Sequence, residues 1–201
     1  MKAIHPEKSY TFSKIFELKI EPKDLANHFG YSFSRKKLNL SQYQENLDRI
    51  NQLKDRIEEI LPYASLSSET ARRELLISPL ILDLVHYTKS EILIEYSIKV
   101  NEQLQGYLDY FLANTNSLLV TEAKKEDLDY GMTQLMAELI ALEQWQEDKK
   151  QEALIGAVTT GKIWEFARLN RNEKTIEQGL ESYRVPEDIE PLMRILVQTL
   201  S

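Results

Sequence analysis

The sequence predicts a mixed α/β domain, and three observations predict it. Apolar residues between Ser41 and Leu61 recur at helical spacing, the run Ile92 to Val100 is rich in β-branched residues, and Thr159-Thr160-Gly161-Lys162 reads as a hairpin turn. The expected architecture is a central, mostly antiparallel mixed sheet flanked by helices. Residues 1–62 are expected to form a helical N-terminal extension packed on a core spanning 63–201, which ends in a helix.

From the N-terminus, Pro22 to Phe29 reads as a short helix that stops at Gly30, a residue suited to the left-handed position after a helix. From Ser41 to Leu61, Tyr43, Leu47, Ile50, Leu53, Ile57 and Ile60 make one apolar stripe, which predicts a helix that Pro62 ends. Ser67-Ser68-Glu69-Thr70 supplies cap residues for a helix running to about His86, with Pro79 as a kink or a new start.

After Tyr87 the period changes. Ile92–Val100 predicts a strand, Gly106–Leu112 its antiparallel partner, and Leu118–Lys124 a third strand beyond the Asn114-Thr115-Asn116 turn. Leu128 to Trp145 predicts a long helix through Leu128, Met132, Leu135, Leu139 and Leu142. Leu154–Val158 and Ile163–Ala167 form the hairpin, and a last amphipathic helix follows Pro186.

Composition narrows the function classes. Hydrophobic residues make up 42% and charged residues 28%, enough for a real core. No apolar run approaches the roughly eighteen residues of a membrane span, and the first residues lack the apolar segment of a secretory leader. A cytoplasmic protein without membrane contact is expected. The absence of cysteine excludes disulfides, thiolate catalysis and Cys-based zinc sites. A net charge of −7 and a pI near 5.2 argue against binding nucleic acid by bulk electrostatics. A divalent metal in an acidic site would supply positive charge locally.

The informative segment is Gly106 to Lys125. Strand alternation puts Val120, Glu122 and Lys124 on one side and Leu119, Thr121 and Ala123 on the other. Asp109 interrupts the apolar run Tyr107-Leu108 and Tyr110-Phe111-Leu112 on the neighbouring strand, where pairing brings it beside Glu122. Two carboxylates and one amine at the end of a sheet suit phosphodiester hydrolysis. Mg²⁺ takes hard oxygen ligands, it lowers the pKa of a bound water, and an ammonium offsets charge building on phosphorus.

Asp109 followed by Glu122-Ala123-Lys124 resembles the PD-(D/E)XK, or restriction-endonuclease-like, superfamily. Glu69 in Ser68-Glu69-Thr70-Ala71-Arg72-Arg73 stands where that fold often carries a further acid, and Gln134 stands on the next helix where many members place a glutamine. The hairpin from Ala157 to Phe166 resembles the one in nuclease domains of type I restriction subunits. Much of the chain, from about Phe12 to Leu200, is similar to a cyanobacterial group predicted to be such nucleases.

The resemblance implies a restriction-endonuclease-like core over 63–201. Asp109, Glu122 and the Ala123 carbonyl would be metal ligands for Mg²⁺ or Mn²⁺. Lys124 would be the catalytic amine, Glu69 a further acid at the metal, and Gln134 an orienting group. The implied function is a DNA endonuclease, acting as a homodimer where both strands are cut. Two positions depart from the pattern: Leu108 replaces the proline, and Glu138 stands where related nucleases often have tyrosine.

Arg72, Arg73, Lys99 and Lys125 are candidates for DNA contact, with solvated surface charge the default for each. Glu95 reads first as a solvent-facing strand residue. His5, His28 and His86 share no ligand spacing, and Trp145 and Trp164 read as core. The alternative function is a catalytically silent nuclease-fold protein that binds nucleic acid or a protein partner, which the acidic charge keeps open.

Overall fold

The computed structural model describes residues 4–5, 7–114, 116–122, 127–146 and 151–201, with the side chains of Leu119 and Glu122 also outside the description. Seven helices are described: α1 (Phe12–Leu18), α2 (Pro22–His28), α3 (Ile50–Ile60), α4 (Glu69–Arg72), α5 (Ser78–Thr88), α6 (Leu128–Trp145) and α7 (Ile189–Leu200). The strands are β1 (Ser32–Lys36), β2 (Glu91–Asn101), β3 (Leu104–Ala113), β4 (Ser117–Glu122), β5 (Ala153–Thr159), β6 (Ile163–Asn170) and β7 (Thr175–Arg184).

Among the described residues the strands form one seven-stranded sheet in the order β1-β7-β6-β5-β4-β3-β2. β1–β7 and β4–β5 pair in parallel, and the other neighbours are antiparallel. The sheet is therefore mixed and mostly antiparallel, as expected. One core lies between it and α1, α2 and α6, built from residues such as Phe12, Leu25, Leu135 and Leu139. A second core lies on the other face against α3, α5 and α7, through Leu53, Leu80, Ile81 and Leu192. Segment 1–62 contributes to both layers and also supplies the edge strand β1. No described helix is long and apolar enough to cross a membrane.

Several elements differ from expectation. The stripe from Ser41 to Leu61 becomes a helix only at Ile50. Upstream of it, Tyr43 donates its amide to the Arg194 carbonyl, and Arg194 Nη1 donates to the carbonyls of Tyr43 and Glu45. Those backbone groups bond α7 instead of a preceding helical turn. The α-helix stops at Ile60, and Pro62 lies within a following 3-10 turn, Leu61–Tyr63.

The stretch from Glu69 to Thr88 contains a five-residue π-turn, Arg73–Ile77, just before the α-helix whose second residue is Pro79. A wider turn there lets the proline, which has no amide hydrogen and needs room for its ring, enter without ending the rod. Ser68 caps the start by accepting from the Ala71 amide at 3.1 Å.

The β2–β3 hairpin carries an irregularity that matters for the site. Ile94 pairs with Tyr110 and Tyr96 with Leu108, so Glu95 stands opposite Asp109. Glu95 adopts a left-handed conformation, with φ +50°. On either side of it the faces exchange. Ile92 packs with the α5 side and Leu93 with the α6 side, whereas beyond the break Tyr96, Ile98 and Val100 all pack with the α6 side. On β3, Leu108 and Phe111, three residues apart, likewise share one core.

Candidate active site

Asp109 lies half-buried on β3 at this break. The last described β3–β4 pair is Tyr110 with Val120, so continuing the register by one residue sets Asp109 opposite Thr121. Glu122 is the last described residue of β4, and its backbone pairs with Thr159 of β5. The Glu122 side chain and the whole of Ala123, Lys124 and Lys125 lie outside the described residues.

Glu69 is the first residue of α4, exposed. Its helix meets the strand ends at two places. The β5–β6 turn presses on it: at Gly161, which has φ +85°, an added Cβ would stand 3.4 Å from the Arg72 Cβ and 3.2 Å from the Leu76 Cδ1. On the other side, Arg73 Nη1 binds Glu95 Oε1 at 3.1 Å, so the helix is tied to the break opposite Asp109. Ser78 and Tyr110 add a hydroxyl pair at 3.3 Å. Glu69, Arg72 and Arg73 are thus brought to the end of the sheet where β3 and β4 meet.

Arg72 corrects the surface reading. It is 2% exposed, and its Nη1 donates to the Leu66 carbonyl at 3.1 Å. The helix turn that exposes part of Arg73 buries Arg72 against the hairpin. Lys99 lies toward the far end of β2, paired with Glu102, away from Asp109. Glu95 is solvent-facing, with its side chain 64% exposed, while holding Arg73.

Gln134 lies on the opposite layer from Glu69, on the α6 face of the sheet. It is buried and donates Nε2 to Glu138 Oε1 at 2.9 Å, and Glu138 Oε2 accepts from the Thr121 hydroxyl at 2.5 Å. Neither Glu138 nor Thr121 was singled out as functional by sequence reasoning. The available signals were the acid at a usual tyrosine position and a hydroxyl beside Glu122.

Among the described residues, no group of three or more His, Cys, Asp or Glu converges to hold a metal ion. The donor types nevertheless fit a hard divalent cation: a half-buried carboxylate on β3 adjoins the strand end that carries a second acid, Glu122. A separate cavity of about 400 Å³ at the start of α6 is lined by Glu21, Pro22, Arg35, Asp127, Asp129 and Tyr130. Nearby, the Glu165 carboxyl is pushed above its ordinary range by burial and then by the charge of Asp129. Trp164 is core, as expected, whereas Trp145 keeps 40% exposure and packs edge-on to Tyr96. Among the histidines, the His28 ring contacts Gln103, whose side-chain amide also donates to the His5 carbonyl, and His86 contacts Asp48.

Compared with known proteins, the chain matches no family model and no curated protein. Among solved structures it is similar to part of one described as the cryoEM structure of a DrdV–DNA complex, with a TM-score of 0.48 and 12% identity. The match covers 78% of this chain and 14% of that chain, so this protein spans a small fraction of its length.

Proposed function

We propose that this protein is a restriction-endonuclease-like enzyme that hydrolyses DNA phosphodiester bonds with Mg²⁺ or Mn²⁺. The observation that carries the reading is the pairing of β3 with β4, whose register sets half-buried Asp109 beside the segment of β4 that carries Glu122. In this reading the Asp109 and Glu122 carboxylates and the Ala123 carbonyl hold the ion. Glu69 adds a further acid from the start of α4.

Lys124 orients the attacking water and offsets charge on the phosphate. The bound ion supplies Lewis acidity and a water of lowered pKa. Gln134 orients the site from the other layer, and Arg73 and Lys125 offer cations to the DNA backbone. One such site cuts one strand per visit, so cleavage of both strands uses a homodimer.

The test is to incubate the purified chain with plasmid DNA and Mg²⁺ or Mn²⁺, beside Asp109→Ala and Lys124→Ala. Nicking by the unaltered chain is expected, with loss in each variant of about 10²–10³-fold or more, the scale for removing one preorganised electrostatic group. Equal cleavage by all three would mean a contaminant. Cleavage by none, across metals and across duplex and single-stranded DNA, would favour the silent binding protein.

A further inference from the structure

A buried polar chain joins α6 to β4 beneath the proposed site. Glu138 is 1% exposed, and both its oxygens accept a hydrogen bond, from Thr121 Oγ1 at 2.5 Å and from Gln134 Nε2 at 2.9 Å. All three residues lie in the interior. Thr121 is the residue immediately before Glu122 on the same strand.

Most of the α6 contact with the sheet is apolar, through residues such as Leu135, Leu139 and Leu142, and a second polar link lies at its C-terminal end, where Gln146 Nε2 donates to Ser117 Oγ. Apolar burial is non-directional, whereas a hydrogen bond weakens steeply with distance and angle. A buried carboxyl is also a poor way to gain stability: an apolar side chain of similar volume is often equal or better. An acid at 138 is therefore better explained by the geometry it imposes on Thr121.

We propose that Glu138 is a positioning residue that acts through Thr121 to hold the end of β4 at Glu122, with Gln134 fixing its other oxygen. The inference rests on the nuclease reading above. Gln134 then acts one step further from the chemistry than the family resemblance implies, because its side-chain NH2 donates to Glu138.

The test compares Glu138→Leu, Thr121→Val and Thr121→Ser with the unaltered chain by two readouts. One is the Mn²⁺ concentration that gives half of the maximal rise in Tm, and the other is amide hydrogen exchange at Thr121 and Glu122 in metal-free protein. Glu138→Leu and Thr121→Val are expected to raise the half-saturating Mn²⁺ by about 10–100-fold, the loss typical when a partner behind a metal ligand is removed. They also speed exchange at both amides, and Thr121→Ser, which keeps the hydroxyl, restores both properties.

Unchanged Mn²⁺ response and exchange in Glu138→Leu and Thr121→Val would overturn the proposal. So would a serine variant that behaves like the valine one. If Glu138→Leu does not fold, Thr121→Val, which exchanges a hydroxyl for a methyl, decides. If the unaltered chain shows no response to Mn²⁺, the nuclease reading fails, and exchange in the metal-free variants still decides whether Glu138 holds β4.

Discussion

Glu177 of β7 is 4% exposed, yet it lies between Lys36 of β1 and Arg168 of β6 and pairs with both. Burial by itself would raise its carboxyl, but the bonds from Lys36 and Arg168 outweigh it and hold the group below its ordinary value of 4.5. The folded chain thus binds this proton less readily than the unfolded one. The stability it contributes is present above the unfolded value and is lost as pH falls through the folded one. Glu165, raised by burial and Asp129, tilts the profile the other way.

Glu177→Gln is accordingly expected to lower Tm at neutral pH and to flatten its fall below about pH 4.5. Thermal melts from neutral pH to about pH 3 check this, and parallel curves for variant and unaltered chain would refute it. At this scale the half-buried place of Asp109 on a strand was legible because an acid interrupts an apolar run, whereas the burial of Arg72 was not. Its neighbour Arg73 is chemically the same, and only the helix turn and the Gly161 corner decide which of the two is buried.

Among the elements, α6 seats directly on β5. An added Cβ at Gly156 would meet Leu135 Cδ1 at 2.6 Å, inside van der Waals contact, in a fully buried layer. Gly156→Ala is expected to cost about 1–3 kcal/mol in urea unfolding, the usual range for overpacking. Adding Leu135→Ala should recover part of the alanine penalty, and simple additivity of the two costs would show that the helix does not press there.

The α6 boundaries, Leu128 to Trp145, and the β5–β6 hairpin were legible because periodicity and turn residues agree with the tertiary contacts. β1 and β7 were missed for one shared reason. Their polar residues are matched across strands, Arg35 with Gln178 and Lys36 and Arg168 with Glu177, so the sequence shows no apolar strand period there. The lost first half of the Ser41–Leu61 helix is likewise a tertiary effect, set by the bonds between Arg194 and Tyr43 and Glu45.

The whole molecule carries a net charge of −7, which opposes a polyanion unless a cation intervenes. Binding to a fluorescent DNA duplex is therefore expected to be weak in EDTA and to strengthen when Ca²⁺, a hard ion that suits the same oxygen donors, is added. Asp109→Ala should remove the Ca²⁺-dependent part. Tight binding in EDTA, read by fluorescence anisotropy, would contradict a metal-bridged contact. At this scale the sheet class was legible from the order of elements. The contribution of 1–62 to both layers and to the sheet edge was not, because β1 pairs with β7 across most of the chain.

The left-handed Glu95 also bears on how copies of the chain can meet. β2 is an outer strand of the described sheet, eleven residues long, and an unbroken edge of that length would present a row of free amides and carbonyls to any strand that approached. At Glu95 the backbone turns out of the extended conformation, so an incoming strand can follow only Glu91–Ile94 or Tyr96–Asn101 before its own row of bonds falls out of step. The same break that sets Asp109 where the hairpin changes face therefore also blunts this edge against runaway strand addition.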